Sequence, residues 1–506
     1  MPVVARGSTK QRRHRNRFRQ RRWSYGAIAT LSLVAPLVAA QAAPAAGPVS
    51  SKSVGGQANS ALAQATRPRV LYVTNLDSAK IAMFAVDRQT GNLKPLADPV
   101  PAGVEPRGVV TAPDGRFAYV ADSGSGQVLV YRVEESGKLS AFDEVQADGT
   151  PFALAMAPNG RTLYASAQET NQVTAFSVSP DGRLGRPVSV DSGGNNPRGV
   201  AVSPDNRFVY VTNGLRDPAV PGTLATFAVT DGGLKLLKSI EIGRFGAGIT
   251  ISPDGRFLYA ESQATNQIHG YRRGPDGLLT ELSGSPVTSP DDPEGIVITP
   301  NAGHVYVAAT GQKPDGSPGG PDSPGNVQAF KVQPGGTLGP ARLFEAGDLP
   351  NAVALSPSAR FLYAVNSNSS DITVYAIGAD GTLRQTPGSP FGGGLEGPGF
   401  QPMAMLPNQG PTARFSFRSG TLARFDATAS DDPDGRVARY DWDFGDGTVL
   451  PNGGPTPSHI YTRPGTFTVK LTVTDDEGCR DQLVFTGQYN LCTGTPAART
   501  FQTITI

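Results

Sequence analysis

From residue 69 to about 408 the chain is a succession of short runs in which apolar and polar positions alternate, broken by Gly, Pro, Asp and Asn. The stretch 197–213 is representative: Pro-Arg-Gly-Val-Ala-Val-Ser-Pro-Asp-Asn-Arg-Phe-Val-Tyr-Val-Thr-Asn. It predicts a strand at 200–203, a tight turn at Pro204-Asp205-Asn206 and a second strand at 208–212. Both strands carry β-branched and aromatic residues that suit a pleated surface, and Asn accepts a positive φ at small cost, so the segment is a hairpin. Six near-copies follow or precede it, registered on Tyr72, Tyr119, Tyr164, Tyr210, Tyr259, Tyr306 and Tyr363. Successive tyrosines lie 47, 45, 46, 49, 47 and 57 residues apart. A period of that size, with about four short strands per unit, is the signature of a propeller, here one of seven blades.

Two further regularities complete each unit. A third alternating strand, such as Gln127-Val128-Leu129-Val130-Tyr131-Arg132-Val133, runs into an Asp-Gly or Gly-Gly turn. After the turn comes a leucine: Leu93, Leu139, Leu184, Leu234, Leu279, Leu338 or Leu383. Residue types needed in every copy read as packing between blades. The first copy, at 70–75, has no inner strand before it, but Met403-Ala404-Met405-Leu406-Pro407 matches Val109-Val110-Thr111-Ala112-Pro113 in spacing. The far end of the repeats is therefore expected to supply the missing strand and close the ring, leaving no open sheet edge. One cooperative domain is expected at 67–409.

Beyond Asn408 the pattern changes. Positions 466–473 alternate with period two, and turn clusters separate the runs before them, which predicts a β-sandwich over 411–506. The fold class is thus all-β, a seven-bladed β-propeller closed by its C-terminal strand and followed by an immunoglobulin-like sandwich.

The repeats resemble the YVTN-repeat and lactonase-like seven-bladed propellers, through Tyr72-Val73-Thr74-Asn75 and Tyr210-Val211-Thr212-Asn213. The family includes 6-phosphogluconolactonase-like and muconate-lactonizing enzymes and exported proteins with no known catalysis, so the resemblance implies a fold and leaves activity open. The muconate-lactonizing relatives use a channel histidine that has no counterpart here. His304 occupies the place that Phe117 and Phe208 take in other blades, and His269 lies in a third strand. The C-terminal segment resembles a PKD domain through Asp431-Asp432-Pro433-Asp434-Gly435, Tyr440-Asp441-Trp442-Asp443-Phe444-Gly445-Asp446-Gly447 and Pro464-Gly465-Thr466-Phe467. Trp442, placed in that sandwich, is expected in its core.

Charge changes the picture once the N-terminus is set aside. The 506 residues carry a formal charge of +2, yet eight arginines and one lysine fall in the first 22. Without them the balance is about −7, a poor match to a phosphate backbone, and no nucleic-acid partner is expected. The basic stretch, the apolar run 27–40 and Ala40-Gln41-Ala42 read as a signal peptide over 1–42. An apolar run that short predicts no stable membrane span after cleavage. Residues 43–66 read as a disordered leader. A secreted or cell-surface protein, a monomer, is the expectation. In an oxidising exterior Cys479 and Cys492 should pair, since they lack the C-x-x-C spacing of a reactive dithiol.

Candidate chemistry lies where the repeats disagree. Two residues before the inner-strand hydrophobic stand Gln401, Arg107, Phe152, Arg198, Ala247, Glu294 and Asn351, which should ring one channel mouth. Arg107 and Arg198, with Asn351 and Gln401, are candidate ligand-binding residues for a small anion, because guanidinium pairs bidentately with carboxylate or phosphate. Glu294 is the candidate catalytic base. The plainer alternative makes the Arg/Glu set a solvated pair that sets blade spacing. Two long loops, 214–223 and 310–326, open on the same face, and the Gly/Pro-rich second one reads as a tolerated insertion in preference to a mobile lid. No cofactor is expected, and Asp431, Asp432, Asp434, Asp475 and Asp476 read as turn chemistry in preference to a calcium site. Two functions remain. One is an exported propeller that binds an extracellular ligand or partner at the channel-mouth face, a small anion or else a protein or polysaccharide, with the PKD module as spacer or adhesion domain. The other is a secreted lactonase-like hydrolase. Export argues against a cytoplasmic sugar phosphate as its substrate.

Overall fold

The computed structural model describes residues 67–506 apart from 216, 218, 312–324 and 394. Residues 1–66, read from the sequence as signal peptide and leader, and most of the loop 310–326 lie outside the described residues.

Seven antiparallel sheets carry the repeats. In the fourth, Pro197–Val202 is the inner strand, followed outward by Phe208–Asn213, Thr223–Thr230 and Gly233–Glu241. Burial falls in the same order: the two inner strands are buried at every position, while the fourth strand is largely exposed. That gradient follows from geometry, because an inner strand is flanked by neighbouring blades on both faces and an outer strand meets water. The other blades repeat the order, and the fifth gains a short extra strand, Val287–Thr288. The strand missing from the first copy comes from the far end, as expected: Pro398–Met405 pairs with Val70–Asn75 in the register Leu71 to Met405 and Val73 to Met403. Residues of the first and seventh blades share one core, with Leu71, Phe84 and Met403 packed among Tyr363, Val365 and Val374.

The recurring residues join blade to blade. The hydroxyls of Tyr72, Tyr119, Tyr210 and Tyr306 donate to the carbonyls of Gly137, Gly182, Gly277 and Gly381, each in a turn of the next blade, at 2.8–3.1 Å. Those turns need glycine. A Cβ on Gly277, at φ 82°, would meet the Phe208 ring at 2.2 Å, and one on Gly381 would meet His304 equally closely. His304 therefore stands in for the phenylalanine of its neighbours.

The C-terminal segment folds into two facing sheets, Ser416–Arg418, Leu422–Asp426 and Ser458–Ile460 against Val449–Leu450, Val437–Asp443, Thr466–Asp475 and Arg499–Thr505. Trp442 is buried between them among Phe415, Phe425 and Phe444, and its indole N–H donates to the Gly454 carbonyl. The sandwich does not stand off from the propeller. Arg69, buried at the start of the first blade, donates to the Leu406 carbonyl at 2.7 Å and pairs with Asp434 and Glu477 of the sandwich at 3.1 and 2.5 Å. Asn408, in the link, bonds both Arg69 and Asp475. The Cys479–Cys492 disulfide is formed.

Candidate functional site

Each inner strand begins at the same end of the channel, so residues at equivalent positions in the blades face one another there. Arg198, second residue of Pro197–Val202, reaches past the fifth blade to Glu294 on Pro293–Ile298 of the sixth, with Nη2 to Oε1 at 3.3 Å. The fifth blade permits this because its own ring residue is the small Ala247. The pair is not a solvated rim contact: its side chains are 10% and 18% exposed.

The arginine is enclosed by rings. Its guanidinium carbon lies 4.3 Å from the centre of the Phe245 ring, 4.6 Å from Phe400 and 5.4 Å from Phe152. Phe152 and Phe400 stack at 4.9 Å, and Arg107 covers Phe152 at 5.0 Å. A cation over an aromatic face gains about 0.5–2 kcal/mol, more as water is excluded, so the cage fixes the guanidinium where it stands. Two backbones are bent to build it. Phe245 and Gln401, which follows Phe400, adopt φ of 56° and 49°. That left-handed region costs a side-chain-bearing residue on the order of 1 kcal/mol and persists where the surroundings over-determine it.

Carboxyl groups collect on the opposite side. Gln263 donates through Nε2 to Asp292 at 3.3 Å and to the second oxygen of Glu294 at 3.5 Å. Asp292 also accepts from the Thr310 hydroxyl. Beneath them lies Glu261, fully buried, whose Oε2 accepts from the Gly248 amide at 2.9 Å. A Cβ on Gly248 would fall 2.4 Å from that oxygen, so glycine makes room for the acid. Burial pushes the Glu261 carboxyl well above the usual carboxylate range; the Gly248 N–H opposes this, and the charges of Glu294 and Asp292 add to it. Three carboxyl groups, of which the buried Glu261 has its proton affinity raised, thus sit beside a caged cation.

The structure brings Arg107, Arg198 and Glu294 to one mouth. Asn351 and Gln401 lie at the same level, as buried as Arg198, and Asn351 Nδ2 donates to the Gly399 carbonyl at 2.7 Å. Both long loops leave from beside the site: Gly214 lies against Phe245 and Gly246, and Thr310 hydrogen-bonds Asp292. Sequence reasoning missed Glu261, Gln263, Asp292, Phe245 and Phe400. A signal for Glu261 existed. Two places after the register tyrosine the other blades carry Thr74, Ala121, Ser166, Thr212, Ala308 and Val365, and only the fifth carries an acid.

Comparison with known proteins agrees with this architecture. The family described as "Lactonase, 7-bladed beta-propeller" matches overlapping segments 37–152, 105–197, 143–220 and 191–291, which together span half of the chain. The chain belongs to that lactonase propeller family. A PKD domain matches residues 407–486 of this lactonase-family protein. It is 40% identical over 91 residues to the pre-pro-metalloprotease PrtV of Vibrio cholerae, covering 18% of this chain and 9% of that one. It is 29% identical over 125 residues to a 6-phosphogluconolactonase of Pectobacterium carotovorum, 25% of this chain and 33% of that one. The chain thus spans a third or less of these relatives' lengths. Among solved structures, the periplasmic gluconolactonase PpgL of Pseudomonas aeruginosa superposes with a TM-score of 0.54 at 20% identity, covering 67% of this chain and 99% of that one. A PKD domain and a disulfide fit an extracellular protein. Among the described residues no helix is long and apolar enough to cross a membrane.

Proposed function

We propose that this protein is exported and binds a small anionic, ring-containing ligand at the channel mouth, using Arg198 and Arg107 for the charge and the phenylalanine wall for the ring. The observation that carries this reading is the caged guanidinium of Arg198, which is shielded, rigid and shared by two blades and three aromatic rings. A pre-positioned cation binds an anion without the ordering cost of a free arginine. Glu294 is better suited to holding that cation than to chemistry, because its two oxygens already accept from Arg198 and Gln263. Calorimetric titration of the mature protein with aldonates, aldonolactones and aromatic carboxylates tests it. At least one should bind, and Arg198→Ala should weaken that binding tenfold or more, about 1.4 kcal/mol. Binding that is indifferent to Arg198→Ala sinks the reading.

A second reading, lactone hydrolysis, is favoured by family membership and by the raised proton affinity of the buried Glu261 beside Glu294 and Asp292. In it Glu294 activates water while Arg198 or Arg107 holds the developing carboxylate. The same lactones assayed for ring opening discriminate: turnover abolished by both Glu294→Gln and Arg198→Ala supports hydrolysis, and binding without turnover leaves recognition alone.

A further inference from the structure

The stapled segment between Cys479 and Cys492 does not lie on the sandwich. Its two short strands, Val484–Phe485 and Asn490–Cys492, form a hairpin whose tip enters the propeller at the end opposite Arg198. The tip bonds inner strands through its backbone. The Gly487 carbonyl accepts from the Val202 amide at 2.8 Å, and the Thr486 carbonyl accepts from the Ile251 amide at 3.1 Å and the Thr250 hydroxyl at 3.0 Å. The Gln488 amide goes deeper and donates to the Val200 carbonyl at 2.9 Å. Side chains fill the remaining width. Phe485 packs with Ala155, Val200 and Val202 of the third and fourth blades, and Leu491 with Val297, Val353 and Leu355 of the sixth and seventh. One hairpin thus touches the inner strands of five blades.

We infer that this hairpin is a seal on the far mouth of the channel, latched by the disulfide, so that the site at Arg198 is a blind pocket entered from one side. The register supports the depth: Val202 and Arg198 are four residues apart on one strand, roughly 13 Å at strand rise, and Gln488 reaches the halfway residue. The bonded groups argue against incidental packing, because the inner strand is the channel-side edge of its sheet, and amides on that edge have no strand of their own blade to receive them and would otherwise need water. Closing the 13-residue separation between Cys479 and Cys492 keeps the hairpin at the channel while the rest of the sandwich is anchored through Arg69. In this protein the PKD module supplies part of the propeller's interior.

Hydrogen–deuterium exchange on the full mature chain tests the inference, with residues 484–491 replaced by a Gly-Ser linker in one variant and Cys479→Ser/Cys492→Ser in a second. In the linker variant the Val202 and Ile251 amides should exchange at least tenfold faster, while the second-strand amides at Tyr210 and Tyr259 keep their protection. The double-serine variant should show the same local change. Unchanged protection at Val202 and Ile251 in the linker variant overturns the seal. A uniform loss across all blades also overturns it, since the segment would then be a general staple. A linker effect without a double-serine effect removes the latch.

Discussion

At position 432 a carboxyl group occupies a place where its charge is costly. Asp432 is buried close to Asp475 and Asp434, and burial foremost, then those charges, push it up to about 8. Burial also raises Asp475 to about 6, against the Cys479 and Glu477 amides that donate to it. The unfolded chain gives up these protons near pH 4, whereas the folded protein keeps them longer, so unfolding releases protons across that interval. Stability should therefore fall as pH rises from about 4 to about 8. Urea midpoints measured between pH 5 and 8 should decline for the natural chain and flatten for Asp432→Asn, with the variant the more stable at pH 8. A steeper decline in the variant refutes the assignment. None of this was legible in Asp-Pro-Asp-Gly, which as a sequence reads only as turn chemistry. What raises the proton affinity is the fold that places residues 432, 434 and 475 together.

At the scale of the element, the hairpin unit is the part most plainly written in the chain. Period-two alternation fixes which face of each strand is buried, and a slip of one residue would expose every apolar side chain, so register follows from pattern. The tyrosine–glycine bond between blades tests how much each unit depends on its neighbour. Tyr210→Phe leaves the buried Gly277 carbonyl without its partner and should cost about 1–2 kcal/mol by chemical denaturation. Tyr363 differs: its buried hydroxyl finds no acceptor among the described residues, so Tyr363→Phe should be neutral or slightly stabilising. Equal losses in both variants would mean that the bond is not what the tyrosine contributes. Sequence alone treats these two residues as the same, because the distinction depends on the blade that each one faces.

For the whole molecule, the question is whether propeller and sandwich unfold as one. Arg69 pairs with Asp434 and Glu477 out of water, and removing one partner from such a set leaves the others buried and uncompensated. Arg69→Met should cost about 3–5 kcal/mol and split a single thermal transition into two, followed by calorimetry. A variant that keeps one transition at an unchanged midpoint would show that the two modules are coupled elsewhere. The candidate site belongs to this scale as well. Its guanidinium, acid and aromatic wall come from five blades and from loops far apart in sequence.

The chain by itself determined the repeat, the number of blades, the exchanged strand, the sandwich and the ring position from which Arg107, Arg198 and Glu294 would face the channel. These follow from local rules of alternation, turn chemistry and spacing, which act between residues close in sequence or related by a fixed period. Only the tertiary structure decided that Glu261 would be buried with its proton affinity raised, that three phenylalanines would enclose Arg198, and that the stapled hairpin would enter the channel instead of decorating the sandwich. Those outcomes depend on desolvation and on contacts between residues as distant as 202 and 487. Outside the repeat period no pattern in the sequence marks such a contact, because burial and charge are set by what the rest of the fold puts nearby.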